Sequence, residues 1–254
     1  MQRLGRRRKI TKGVWPLGAL GVVFVVCACA APSTTSAPPS TTTSAPPATT
    51  ASAPPPTVSP PSSVKVSEAS ELLKQGNLRF MQRDVAGAIA DFTKAVELEP
   101  TLSLAYYARA KARTNRGDIA GAIADFTKTV ELEPGLSTGY YLRGLLRARQ
   151  GDGAGAVADF TKTLEIEPDH APSFYQRGLL LARQGETTRA LADLTKAVEL
   201  DPYDGIALSQ RGLLRARQGD RPGALQDLKK ALDLGVPSPQ DQAAVRSALQ
   251  ELQQ

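Results

Sequence analysis

The sequence repeats one phrase at a fixed interval, and this repetition limits the folds that the chain can adopt. The segment DFTKAVELEP at residues 91–100 returns as DFTKTVELEP at 125–134, DFTKTLEIEP at 159–168 and DLTKAVELDP at 193–202. A more divergent copy, DLKKALDLGV, follows at 227–236, so the step is 34 residues each time. A constant period of this length is typical of repeat proteins, in which each copy packs mainly against its neighbours.

Each copy contains two helical patterns with a break between them. The five units cover residues 69–102, 103–136, 137–170, 171–204 and 205–238. Four of the breaks are a Gly followed by an acidic residue, at 117–118, 151–152, 185–186 and 219–220. Gly ends a helix in a left-handed conformation and Asp caps the next helix, whereas the first unit has Arg83 at the Gly place. Pro100, Pro134, Pro168 and Pro202 predict the end of each second helix.

The recurring positions resemble those of the tetratricopeptide repeat family. Small residues occupy one place in each first helix: Gly76, Ala110, Gly144, Gly178 and Gly212. Large apolar residues recur in the second helices: Phe92, Phe126, Phe160, Leu194 and Leu228. The 34-residue helix–turn–helix period is that of the family. The resemblance implies an all-α fold, a right-handed superhelix of five helix–turn–helix repeats with a concave groove.

The fifth unit lacks the closing Pro and is followed by a new helix start. Ser238 is a capping residue, and Pro239 suits the first helical position. Residues 239–254 are therefore predicted to form a capping helix. We expect Ala243, Val245, Leu249 and Leu252 to cover the last unit, because repeat arrays need polar ends.

Arginine occupies a place that is usually a buried Leu in the family. The residues are Arg109, Arg143, Arg177 and Arg211, with Gln75 in the first unit. A buried guanidinium needs a partner. The recurring acids Asp91, Asp125, Asp159, Asp193 and Asp227 are the expected partners. Spacing alone leaves open whether the pairs form within one unit or between neighbouring units.

The resemblance also implies where a ligand would bind, because family members usually bind ligands in the groove lined by the first helices. The fifth, ninth and thirteenth positions of each unit lie on one helical face. The predicted groove residues are Tyr107, Lys111, Tyr141, Leu145, Arg149, Tyr175, Leu179, Arg183, Leu213 and Arg217. Tyr and Leu would supply apolar contacts, and Arg would bind carboxylates of a protein or peptide partner.

Residues 1–30 are predicted to be an export segment. A basic stretch precedes an uncharged, mostly apolar run from Gly13 to Ala30. Three interpretations stay open: a lipoprotein signal, an uncleaved membrane-spanning helix, and a cleaved secretion signal. Cys29 is the candidate for lipidation, with Cys27 less favoured. If export occurs, each interpretation places the repeats outside the cytoplasm, and the first two predict a protein of the cell envelope that is anchored to the membrane through the N-terminus.

Residues 31–65 are predicted to be a disordered linker. From Pro32 to Val64 the chain has ten Pro, eight Ser and eight Thr, and no charged residue. Such a segment has little apolar surface to bury and favours an extended spacer. Six of the 31 basic residues lie in residues 1–64, and the rest of the chain has 25 residues of each sign. Bulk charge therefore does not favour nucleic-acid binding.

The composition also argues against an enzyme and against a metal or cofactor site. Both cysteines lie before residue 30, His170 is the only histidine, and no phosphate-binding or dinucleotide-binding motif is present. We therefore expect a non-enzymatic scaffold, tethered to the cell envelope, that binds a partner peptide or protein in the groove. The alternative is a structural array that self-associates by stacking through its ends.

Overall fold

The computed structural model describes residues 63–236 and 238–254, and all of the regular secondary structure in these residues is helical. The predicted export segment, 1–30, and most of the predicted linker, 31–65, lie outside the described residues. Among the helices that are described, none is both long enough and apolar enough to cross a bilayer.

Eleven α-helices follow one another in the described residues, and the first ten form five hairpins. The first helices of the hairpins are α1 (Ser63–Met81), α3 (Ser103–Arg116), α5 (Ser137–Gln150), α7 (Ala171–Arg183) and α9 (Gly205–Gln218). The second helices are α2 (Val85–Leu98), α4 (Ile119–Leu132), α6 (Gly153–Ile166), α8 (Thr187–Leu200) and α10 (Arg221–Leu234). Each second helix also packs on the first helix of the next hairpin, so the hairpins stack in chain order into an all-α solenoid.

The turn inside each hairpin follows from a short polar motif. Gly117 ends α3 in the left-handed conformation, with φ of 84°. Asp118 then caps α4, since its carboxylate accepts a hydrogen bond from the backbone N–H of Gly121 at 3.0 Å. A Cβ on Gly121 would lie 2.3 Å from Asp118 Oδ2. The close approach of the capping carboxylate explains why Gly follows Asp by three residues here.

The two helices of a hairpin approach closely where a small residue faces a large one. Phe160 is fully buried, and a Cβ added to Gly144 would lie 2.9 Å from its Cε1 atom. Ala110 and Phe126 occupy the same two places in the second unit, and both are buried. The recurring small residue therefore fixes the distance between the helices and lets the ring fill the core of the hairpin.

The first hairpin differs from the sequence prediction at the start of α1. The helix begins at Ser63, six residues before the predicted start at Ala69 and inside the predicted linker, 31–65. Residues 63–68 contain neither Gly nor Pro, so nothing in them stops a helical turn, and Val64 and Val66 are exposed. After α1, Arg83 adopts the left-handed conformation with φ of 66°, which is unfavourable for a residue with a side chain.

The last helix, α11 (Pro239–Gln253), packs against α10 and α9 and covers the end of the array. Val245 and Leu249 are buried against Leu228, and Leu252 is half-buried beside them. The prediction for Ala243 was wrong, because this residue is exposed. Ala248 is half-buried and packs on the cluster instead, since it lies one helical turn from both Val245 and Leu252.

Candidate functional site

The recurring arginines and aspartates pair within one unit. Arg109 donates from Nη2 to Asp125 Oδ1 at 2.8 Å and from Nε to Oδ2 at 3.0 Å. Three further pairs repeat this arrangement at the same places: Arg143 Nη2 to Asp159 Oδ1 at 2.6 Å, Arg177 Nε to Asp193 Oδ2 at 2.8 Å, and Arg211 Nη2 to Asp227 Oδ1 at 2.7 Å. Two parallel hydrogen bonds to a carboxylate fix the orientation of the planar guanidinium in addition to pairing the two charges.

The same arginine also reaches back to the preceding unit. Arg109 Nη1 donates to Thr93 Oγ1 at 3.3 Å. Equivalent bonds join Arg143 to Thr127 at 3.2 Å and Arg177 to Thr161 at 3.0 Å. Each of these three arginines therefore connects an aspartate of its own unit with a hydroxyl of the previous one.

A second set of arginines, which the sequence analysis missed, binds the same carboxylates. These bonds are Arg113 Nη1 to Asp125 Oδ2 at 2.8 Å, Arg147 Nη1 to Asp159 Oδ2 at 2.9 Å, and Arg215 Nη1 to Asp227 Oδ2 at 2.8 Å. The signal was available, because each of these arginines precedes its aspartate by twelve residues. The fourth unit has the buried Leu181 at this place, so Asp193 is paired with Arg177 alone.

Asp91 does not follow the predicted pattern. Its unit has Gln75 where the other units have the pairing arginine, and the nearest cation is Arg79, with Nε 3.3 Å from Asp91 Oδ2. The Asp91 carboxylate is buried, whereas the Arg79 side chain is 45% exposed. The orientation of the two groups leaves Asp91 Oδ2 without a hydrogen bond. The first unit therefore has a weaker version of the ion pair that stabilises the others.

The predicted tyrosines take part in packing. The Tyr107 ring meets Phe126 edge-on at a centroid distance of 5.7 Å, and Tyr141 meets Phe160 at 5.9 Å. Burial raises the pKa of both tyrosines above the ordinary value. All three predicted tyrosines are half-buried, so each offers only one edge for contact with a ligand.

Burial raises the pKa of Tyr175 to about 12. The carboxylates of Asp204 and Asp241 add to this shift, and Arg183 opposes it. Tyr175 packs on two apolar clusters, one of which contains Val236. The tyrosine therefore links the fourth unit with the end of the array.

An open, apolar cavity of about 310 Å³ lies between α3 and α5. Its lining is Phe80, Lys111, Thr114, Asn115, Phe126, Leu142, Leu145 and Leu146. Lys111 and Asn115 are exposed at its rim, and the predicted groove residue Leu145 forms part of its wall.

The remaining predicted groove residues lie further along the array. Leu179, Leu213 and Arg217 line a smaller cavity of about 40 Å³ between α7 and α9. Arg149 and Arg183 are exposed. We call the surface formed by the fifth, ninth and thirteenth positions of the first helices the first-helix face. The cavity between α3 and α5 is larger than the cavity between α7 and α9.

The lone histidine has a structural role. His170 caps α7, and its Nδ1 accepts a hydrogen bond from the backbone N–H of Ser173 at 3.2 Å. Its ring meets Tyr141 edge-on at 4.9 Å. Over residues 63–236 and 238–254, no cluster of His, Cys, Asp or Glu side chains could hold a metal ion.

Comparison with known families agrees with this architecture. The family model of the tetratricopeptide repeat matches residues 73–137, 107–171 and 141–205, which together span more than half of the chain. The chain therefore belongs to the tetratricopeptide repeat family. This membership places it among protein–protein interaction scaffolds, which are generally not enzymes. No curated protein matches the chain in sequence.

Several solved structures have a similar fold. The chain is 22% identical to YrrB, described as a tetratricopeptide repeat protein with an unusual peptide-binding site, over 70% of this chain and 92% of that one, with a TM-score of 0.63. It is 20% identical to MamA from Desulfovibrio magneticus over 66% and 94% of the two chains, with a TM-score of 0.61. For PilF of Pseudomonas aeruginosa the identity is 13%, the coverage 74% and 90%, and the TM-score 0.60. At these identities the likeness concerns the fold alone.

Proposed function

We propose that this chain is a non-enzymatic adaptor that binds a peptide or protein segment on its first-helix face. The cavity between α3 and α5 carries the proposal. Its volume of about 310 Å³ is at the lower end of the range for ligand pockets, about 300–1,000 Å³. An apolar recess with a few polar groups at its rim is the usual composition of such a site.

The surroundings of the cavity support a site built for a ligand side chain. Phe126 in its lining is fully buried and meets the Tyr107 ring edge-on, so close packing restricts the movement of this part of the wall. Leu145 and Leu142 are half-buried, which leaves part of their apolar surface facing the recess. The Lys111 ammonium lies over the Tyr107 ring, 5.6 Å from its centroid. A rigid recess reduces the ordering cost of binding.

Selection of peptides on the full chain tests this proposal. A displayed random-peptide library should yield sequences that bind the wild type and lose affinity for Asn115→Trp, which blocks the rim of the cavity. Asn115 is exposed, so the substitution should leave the fold intact. Lys128→Trp, at an exposed residue on α4, is the matched control and should bind the selected peptides like the wild type. Peptides that bind both variants equally well would contradict the proposed site.

The predicted alternative, stacking through the ends, has less support. In the later units the third position is small and buried, as with Ala105 and Ala207, whereas α1 has the exposed Glu71 there. At the opposite end, α11 already covers the last unit with Val245 and Leu249. A charged residue at one end and an occupied surface at the other disfavour head-to-tail stacking.

We also propose that residues 1–30 tether the array to the cell envelope. The support is the sequence alone: a basic start, an apolar run and a candidate lipidation site at Cys29. Mass spectrometry of the mature N-terminus separates the three interpretations, since a lipidated Cys29, an intact N-terminus and a free cleaved N-terminus have different masses. Cys29→Ser should release the protein from the membrane if the anchor is a lipid. Recovery of the full, unprocessed chain from the cytoplasm would contradict the tether.

A further inference from the structure

We infer that the partner segment is an extended peptide with one bulky apolar anchor and an acidic stretch on one side of it. The anchor would occupy the cavity between α3 and α5, and the acidic stretch would run along Arg149, Arg183 and Arg217. The inference rests on the proposed function and adds the chemistry of the ligand.

The three arginines form a row that the fold does not use. They occupy the thirteenth position of the third, fourth and fifth units, and all are exposed. Within the described part of the chain none of them makes an ion pair, whereas Arg109 and Arg143 are held by carboxylates. Their guanidinium groups are therefore available to bind external carboxylates, in a geometry that suits bidentate bonds.

The row begins beside the cavity and leads away from it in one direction. Leu145 of the cavity wall and Arg149 lie one turn apart on α5, a separation of about 6 Å along the helix. The same position holds Asn115 in the second unit and Met81 in the first, and neither is charged. At the thirteenth position a peptide anchored in the cavity would therefore meet an arginine only on the side of α7 and α9, while Lys111 adds one positive charge at the rim of the cavity itself.

The spacing of the row suits an extended chain. Neighbouring first helices that pack together are about 10 Å apart, and an extended peptide advances about 3.3 Å per residue. Successive arginines are therefore separated by about three residues of peptide. The second cavity, beside Leu179 and Leu213, has only about 40 Å³ and is too small for a bulky side chain. The anchor is thus assigned to the larger cavity.

Fluorescence anisotropy with designed peptides tests the inference on the full chain. The probe is a labelled peptide with one Phe, followed toward one end by Glu at every third residue. Two further probes replace the Phe by Ser or each Glu by Gln. We expect the complete probe to bind at least about tenfold more tightly than either partial probe, and added salt to weaken it.

Matched variants separate the two halves of the site. Arg149→Gln, Arg183→Gln and Arg217→Gln combined should weaken the complete probe about tenfold. The control combines Lys128→Gln, Lys162→Gln and Lys196→Gln. This control removes the same charge from exposed residues of second helices and should leave affinity unchanged. Asn115→Trp should abolish the difference in affinity between the Phe probe and the Ser probe.

Two outcomes overturn the inference. Equal binding of the complete and Gln-substituted probes would contradict the inferred acidic stretch. Equal binding of the Phe and Ser probes would contradict the inferred apolar anchor. The library selection keeps the proposed function separate from these results. If selected peptides depend on Asn115 but lack acidic residues, the adaptor function stands and the inferred ligand chemistry fails. If no selected peptide depends on Asn115, both fail.

Discussion

The junctions inside the array and the two ends of the array use the same positions in opposite ways. Inside the array, Arg109, Arg143 and Arg177 bind an aspartate of their own unit and a threonine of the preceding one. In α11, the two arginine places of the repeat hold Val245 and Leu249, which are buried. The same two positions therefore hold paired arginines inside the array and buried apolar residues in the helix that covers its end.

The residue type at these two positions depends on the side chains that lie beside them. An arginine at a junction has a carboxylate beside it, whereas Val245 and Leu249 of α11 pack beside apolar residues of α10, Leu225, Leu228 and Leu232. An unpaired guanidinium there would be costly, and apolar side chains avoid that cost. The fifth unit fits this arrangement, because Lys229 stands where the first to fourth units have threonine. At the other end, Glu71 and Gln75 are exposed and keep the first unit solvated.

The largest effect is expected at the C-terminal end. Val245→Asp would place a carboxylate in a fully buried apolar cluster and should lower the free energy of unfolding by about 4 kcal/mol. Urea unfolding monitored by circular dichroism measures the loss. Gln250→Asp, on the exposed side of α11, should change the stability little. Similar losses for both variants would mean that α11 does not cap the array.

Removing the pairing arginine should destabilise the protein more in the fourth unit than in the third. Arg177→Met leaves Asp193 without a cation and should cost about 3 kcal/mol, whereas Arg143→Met leaves Asp159 with Arg147 and should cost about 2 kcal/mol. Chemical denaturation of the two variants measures the difference. Loss of the bond to the preceding unit should also reduce the cooperativity of unfolding in both. The reverse order would count against the proposed role of the second arginine set, and no loss at Arg143 would count against the stabilising role of Arg143 itself.

Replacing Arg83 by the Gly that the other turns have should stabilise the first hairpin. Arg83→Gly removes the unfavourable left-handed conformation of a residue with a side chain. After the added freedom of the unfolded chain is subtracted, the gain should be about 0.5 kcal/mol. Gly151→Arg, the inverse change at a position with φ of 91°, should destabilise. A loss of stability for Arg83→Gly would show that this side chain stabilises the turn.

The smallest effect is confined to alkaline solution. The pKa of Tyr175 is raised from 10.0 to about 12 in the folded protein, so the folded state holds this proton more tightly than the unfolded state. Its contribution to stability is complete below about pH 10 and is lost as the pH rises through about 12. Tyr175→Phe should remove that part of the decline in a series of unfolding curves. Tyr203→Phe, at an exposed ring, is the control.

The fold could be predicted from the sequence because each recurring residue has one local structural role. The Gly–Asp breaks, the closing prolines and the small residues facing Phe all repeat in phase, so the helices and their order follow. The second arginine set was equally periodic but was overlooked, because the first set already offered the aspartates a partner. The cavity could not be predicted, since it depends on how closely α3 and α5 approach, and no single residue encodes that distance.

Nuclear magnetic resonance of methyl groups tests most directly where the partner binds. With the Phe and Glu probe added to the full chain, the methyl signals of Leu142, Leu145 and Leu146 should shift, because these residues line the cavity. A shallow depression of about 380 Å³ beside Leu191 and Ala192 of α8 is the competing surface. We expect the methyl signals of Leu191 and Ala192 to stay unchanged. Shifts at Leu191 and Ala192 with unchanged signals at Leu145 and Leu146 would contradict it.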